Sequence, residues 1–135
     1  MRLAVTKTLT IKVNGKKSTL SKKVFIYLGD GGTTLLFDIV DSNNNNMAVE
    51  FESTHAEVCI LTASNKVIYD RDCEIINGMI EFELTSEFVN EIAEEGSHLL
   101  QVHLYDEANN RRTIPPITLT LLKPICDIAN DPSTP

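Results

Sequence analysis

The dipeptide Asn77-Gly78, set between the short apolar runs Ile75-Ile76 and Met79-Ile80, is the strongest local constraint in the chain. A two-residue type I′ turn needs positive φ at both central positions, which Asn and Gly tolerate best. Closing the hairpin on these two residues pairs Ile76 with Met79, Ile75 with Ile80, Glu74 with Glu81 and Cys73 with Phe82. Directly opposed residues share a face. Cys73, Ile75, Ile80 and Phe82 therefore form one apolar patch, and Glu74, Glu81 and Glu83 point the other way. A hairpin with one greasy and one acidic face must lie on a core.

The same period of two runs through much of the sequence. Leu3, Val5, Lys7, Leu9, Ile11 and Val13 alternate with Ala4, Thr6, Thr8, Thr10 and Lys12, as on a half-buried strand that ends at the turn Asn14-Gly15-Lys16-Lys17. Val24–Leu28 is a short apolar run, and Gly29-Asp30-Gly31-Gly32 breaks it. Thr33–Val40 resumes with Leu35, Phe37 and Ile39 on one face, and Leu36 and Val40 on the other predict a central strand covered on both sides. Asp41-Ser42-Asn43-Asn44-Asn45-Asn46 reads as a polar, mobile loop. Further strands are expected over Met47–Phe51, Ala56–Leu61, Lys66–Tyr69, Leu100–Leu104 and Ile117–Leu121. Pro115-Pro116 cannot donate to a ladder, so the last strand must be entered at an edge or a bulge.

One helix interrupts the strands. Thr85-Ser86-Glu87 is a start signal and Gly96 a stop, with Phe88, Val89 and Ile92 on one side between them. Seven to nine short strands with a single short helix predict an all-β, antiparallel β-sandwich. At 135 residues and 42% apolar the chain is sized for one domain, expected over residues 1–124, and the polar residues 125–135 read as a linker or tail. No apolar run approaches the roughly 18 residues of a membrane-spanning helix, and the first residues lack the apolar stretch of a signal peptide. Synthesis in the cytoplasm is expected, without membrane partners.

Charge is unevenly placed. Seven basic residues and no acidic one precede Asp30, whereas the other five basic residues share the rest with all 19 acidic ones. A basic arm can bind nucleic acid, but this one alternates like a strand and has no aromatic residue before Phe25 to stack on a base. It is read instead as a basic strand lying on an acidic partner, its own domain or a neighbour. Lys16, Lys17, Lys22 and Lys23 are candidates for a partner-facing patch, with an ordinary solvated turn as the competing reading. Arg111 and Arg112 join them as candidates, or simply cap the turn before them.

No pattern in the sequence points to catalysis. Gly29-Asp30-Gly31-Gly32 lacks the Lys-Ser/Thr of a phosphate loop, and no Gly-x-Ser-x-Gly elbow occurs. His98 and His103 differ by five, so on one strand they face opposite sides and cannot share a metal ion. Cys59, Cys73 and Cys126 are an odd, sparse set, expected to be reduced thiols. Glu74, Glu81 and Glu83 cluster on a wet face, and nothing in the pattern buries a pair as general acid–base work would require. No catalytic residue, cofactor or metal is expected.

A resemblance adds to this reading. The glycine turn leading into Thr33-Thr34-Leu35-Leu36-Phe37-Asp38-Ile39, the segment Asn77-Gly78-Met79-Ile80-Glu81-Phe82-Glu83-Leu84-Thr85, the short helix, Gly96, the strand Leu99–Asp106 and Arg111-Arg112-Thr113-Ile114-Pro115-Pro116-Ile117 occur in this order. Across residues 5 to 124 the order resembles the N-terminal domain of the baseplate upper proteins of phages that infect Gram-positive bacteria. The resemblance implies an immunoglobulin-like sandwich in the virion tail baseplate that docks on the baseplate hub. It further implies association with other baseplate proteins, self-association into a homo-oligomer, and carriage of receptor-binding parts beyond a C-terminal linker. A carbohydrate-binding or adhesin-type sandwich is the alternative, although the chain has no Trp and only Tyr27, Tyr69 and Tyr105 as tyrosines.

Overall fold

Inward-facing apolar residues from two sheets meet to form the core, as the alternation requires. A computed structural model describes residues 5–21, 23, 25–27, 32–92 and 95–123. In chain order the elements are β1 (Val5–Asn14), β2 (Lys17–Leu20), β3 (Phe25–Tyr27), β4 (Thr33–Val40), α1 (Met47–Glu50), β5 (His55–Leu61), β6 (Val67–Cys73), β7 (Ile75–Ile76), β8 (Met79–Leu84), α2 (Ser86–Ile92), β9 (Gly96–Tyr105), β10 (Arg111–Thr113) and β11 (Ile117–Leu122). The first sheet has the order β2-β1-β4-β8-β7 and the second β3-β11-β9-β5-β6, with β10 also paired to β9.

Leu9, Ile11 and Val13 of β1, Leu35, Phe37 and Ile39 of β4, and Ile80, Phe82 and Leu84 of β8 are buried on the inner face of the first sheet. Ala56, Val58 and Ile60 of β5, Leu100, Val102 and Leu104 of β9, and Ile117, Leu119 and Leu121 of β11 face them from the second. The sandwich is thus as expected, but its pairing is mixed rather than wholly antiparallel. β1 runs parallel to β4, and β3 parallel to β11. Each parallel pair joins strands that are distant in sequence, so no turn residue announces it. The eleven strands among the described residues exceed seven to nine because short edge pieces, β2, β7 and β10, count separately.

The hairpin at Asn77-Gly78 forms with the expected register, Ile76 opposite Met79 and Ile75 opposite Ile80, and both turn residues have positive φ. Glu74 still accepts from the Glu81 amide at 2.9 Å, but there the chain changes sheets. Cys73 pairs with Ala56 of β5 instead of Phe82, while its side chain stays in the shared core. At Pro115-Pro116 the expected bulge is present. Thr113 pairs with His103 and Ile117 with Leu100, so residues 114–116 stand opposite only Gln101 and Val102.

One element differs in kind. Met47–Phe51, expected as a strand, is the one-turn helix α1 with Phe51 as its C-cap. The Asn46 side chain caps it by accepting from the Val49 amide at 2.9 Å, and Met47 and Ala48 are buried. A short apolar run does not separate the two periods, and here the cap decided. The Asn46 amide also donates to Asp38 Oδ1 at 2.9 Å and to the Gly78 carbonyl at 3.0 Å, seating α1 on the hairpin turn. The second helix is as expected at its start. Thr85 Oγ1 accepts from the Phe88 amide at 3.1 Å, and Phe88 meets Phe82 edge-on at 5.2 Å. Gly96 belongs to β9 rather than to a helix end.

The loop read as mobile is closed by Asp41, whose Oδ1 accepts from the Asn43 and Asn45 amides, both at 2.9 Å. Asp106 builds the same turn, accepting from Ala108 at 3.0 Å and Asn110 at 2.8 Å. Asn44 and Asn109 occupy the matching left-handed position in the two turns. Hydrogen bonding to these exposed carboxylates, chiefly from the Asn45 backbone and the Asn110 side chain, holds both below the ordinary Asp pKa of 3.8. Lys22, the start of the glycine cluster at 29–31, Cys126 and the tail expected over 125–135 lie outside the described residues. Among those described, no helix is long and apolar enough to cross a membrane.

Two expectations follow from these turns. Gly78 has φ +77, and a Cβ there would lie 3.0 Å from Val49 Cγ2 and 3.1 Å from Asn46 Nδ2, whereas at Gly15, φ +63, it would meet nothing within 4 Å. Gly15→Ala should therefore cost roughly 1–2 kcal/mol from the backbone alone. Gly78→Ala should cost more, about 2–3 kcal/mol; equal urea midpoints for the two variants would show that α1 does not seat on the turn. For Asp41 and Asp106 the folded pKa is depressed, so their stabilisation is present above the unfolded value and is lost as pH falls through the folded one. NMR titration should give both carboxylates midpoints below 3.8, and values at or above it would remove the turns from any account of acid stability.

Candidate interaction surface and side-chain cluster

Of the basic residues singled out from the sequence, Lys16, Lys17, Lys23, Arg111 and Arg112 are among the described residues. Lys16 sits in the β1–β2 turn and Lys17 opens β2, opposite Asn14. Ser18 and Leu20 of β2 are half-buried beside Val13 and Ile11, which turns Lys17 and Thr19 outward. Lys23 lines a groove of about 520 Å³ with Ser18, Leu20, Phe25, Thr118 and Thr120. The groove is pinned where Ser18 Oγ donates to the Pro115 carbonyl at 2.6 Å. Arg111 and Arg112 are consecutive in β10 and therefore face opposite sides. Arg111 is opposite Tyr105, and Arg112 reaches the field of Asp41 from the other face.

The richest surface is the outer face of the second sheet, which pairing between β6, β5, β9 and β11 builds in rows. Val67, Leu61, Leu99 and Thr118 lie side by side in one row, and Tyr69, Cys59 and Gln101 in the next. Glu57, His103 and Thr113 form a third, then His55, Tyr105 and Arg111 a fourth. Leu61, Val67, Tyr69 and Leu99 are 38%, 57%, 48% and 45% exposed, which makes the first two rows an apolar patch on a solvent-facing sheet. A shallow cleft of about 280 Å³ runs along it, bounded by Cys59, Leu99, His103 and Pro116. In the fourth row His55 stacks on Tyr105 with ring centroids 5.1 Å apart.

Between the apolar rows and this aromatic pair sits a polar cluster. Cys59 Sγ donates to Glu57 Oε1 at 3.5 Å, and His103 Nδ1 is 2.9 Å from Thr113 Oγ1. One ligand atom from each of Glu57, Cys59 and His103 lies within 4.8 Å of the others, and all three residues are half-buried. Partial burial, helped by the nearby Arg111 cation and opposed by Glu57, lowers the His103 pKa below its usual 6.5. The imidazole is therefore neutral at physiological pH.

The other two expectations about reactive residues are visible in the same sheet. His98 is buried on the inner face, where Nδ1 accepts from the Ala63 amide at 3.1 Å and anchors the β5–β6 turn. It faces away from His103. Cys73 is buried in the core, and burial, with the nearby Asp70 carboxylate, pushes its thiol up to about 12. Such a thiol is an inert hydrophobe. Sequence reasoning did not find the Glu57–Cys59–His103 cluster. Only Glu57 and Cys59, two apart on one strand, share a face by spacing alone, and the position of His103 depends on the β5–β9 register.

No family model matches the chain, and no curated protein matches it. Among solved structures, the N-terminal domain of phage TP901-1 ORF48 is similar in fold, with a TM-score of 0.60 over 87% of this chain and 98% of that one, at 10% identity.

Proposed function

We propose that this chain is a non-catalytic assembly module of a phage tail baseplate, which binds neighbouring baseplate proteins through the outer face of its second sheet. The observation that carries the reading is the fold likeness, which takes in nearly the whole of a domain from a phage protein. The resemblance of its ordered motifs to baseplate upper proteins points the same way. Chemistry favours a protein as occupant of that face. Leu61, Val67, Tyr69 and Leu99 form an apolar centre, with Glu57, His103 and Arg111 at one side for polar contacts, the anatomy of a protein–protein interface. On this reading the hub is one partner, further copies of the chain are another, and receptor-binding parts are carried beyond residue 124.

A second reading, glycan binding, is favoured by the groove at Lys23. Its Ser18, Thr118 and Thr120 hydroxyls lie beside Phe25, which is 47% exposed and could stack on a sugar ring. The groove adjoins the outer sheet face, with Thr118 in both, so the two readings are separated by Phe25 on one side and by Leu61 and Leu99 on the other.

Mass spectrometry of purified virions should find the chain in the tail. Light scattering of a mixture with the hub protein of the same phage should show a complex. Leu61→Asp and Leu99→Asp should each weaken that complex at least tenfold, corresponding to about 1.4 kcal/mol or more, without loss of the β-sheet circular dichroism spectrum. Absence from virions, or a complex indifferent to both substitutions, would overturn the assignment. Glycan-array binding abolished by Phe25→Ala would favour the second reading.

A further inference from the structure

We infer that Glu57, Cys59 and His103 form a binding site for a divalent, zinc-type metal ion on the outer face of the second sheet. The three residues supply a carboxylate, a thiol and an imidazole, each from a strand whose backbone is fixed by the β5–β9 ladder. Bond lengths of about 2.0–2.3 Å to oxygen, nitrogen and sulfur place tetrahedral ligands roughly 3.3–3.8 Å apart. The observed ligand atoms lie within 4.8 Å of one another, about 1 Å wider than that range. Glu57 and His103 are directly opposed, and Cys59 is the diagonal neighbour two residues along β5, so the three converge on one point of the sheet surface.

The surroundings are those of a ligand set. Thr113 Oγ1, 2.9 Å from His103 Nδ1, orients the ring; with Nδ1–H donated to it, the lone pair on Nε2 remains for a metal. Cys59 already shares its thiol proton with Glu57 at 3.5 Å. On binding, that proton leaves to solvent, the thiolate and the carboxylate both bond the ion, and the dication neutralises the two negative charges of the site. A mixed S/N/O set selects zinc and related borderline ions over calcium or magnesium, which prefer all-oxygen shells. Three protein ligands leave a fourth position open to water or to a donor from a docked neighbour.

The isolated chain, titrated with Co²⁺ and then Zn²⁺, tests this independently of any baseplate role. Co²⁺ should bind at one equivalent and give a thiolate-to-metal charge-transfer band, and Zn²⁺ should displace it. Cys59→Ser should remove the band, and His103→Gln and Glu57→Gln should weaken binding. Thr113→Val should weaken it by about tenfold through the orientation of His103, and His55→Gln on the same face should leave it unchanged. In the unaltered chain Zn²⁺ should slow alkylation of Cys59, resolved by peptide mass spectrometry. A band that survives Cys59→Ser, the absence of a band, or Cys59 alkylation indifferent to Zn²⁺ would each overturn the site.

Discussion

Burial of one face of each of two sheets is the interaction on which the rest of this molecule depends. β1, β4 and β8 each send three branched or aromatic side chains inward, and β5, β9 and β11 answer with three each. Full burial of one such side chain contributes about 1.5–3 kcal/mol. Because strand residues alternate, fixing the inner face also fixes which residues stand outside. The exposed rows on the second sheet, from Val67–Leu61–Leu99 to His55–Tyr105, are therefore as firmly placed as the core behind them.

The two outer faces differ in chemistry. On the first sheet Thr6, Thr8 and Thr10 of β1 stand beside Thr34, Leu36 and Asp38 of β4, and Glu83 and Glu81 follow on β8. That face is polar in these rows, with the half-buried Leu36 among them and the exposed Ile76 beside Met79 toward the β7 edge. The second sheet carries its apolar rows in the open. The salt bridge between Lys66 and Glu91 is exposed and long, at 4.0 Å, and contributes little to stability.

Much of the sandwich was legible from residues alone, for reasons that can be named. Asn77-Gly78 set its own register, the β1 alternation named its inner residues, and Thr85 with Phe88, Val89 and Ile92 marked α2. What escaped depended on partners distant in sequence. The parallel pairs β1–β4 and β3–β11 have no turn chemistry, and the sheet change at Glu74 is invisible while hydrophobicity continues through Cys73 and Ile75. In the run Met47–Phe51 the capping Asn46 outweighed an ambiguous period. The Glu57–Cys59–His103 cluster required the β5–β9 register.

The parallel pairing of β3 with β11 also has a consequence for how the molecule is made. Phe25–Tyr27 form their ladder with Thr120–Leu122, nearly the whole domain later in the chain. During synthesis β3 must wait, unpaired, until the last strand has cleared the ribosome. Such long-range closure slows folding, because chain entropy is lost before the contacts that offset it can form. The sandwich is thus completed only once β11 has emerged, and the interval before closure is when β3 is most open to pairing with the wrong chain.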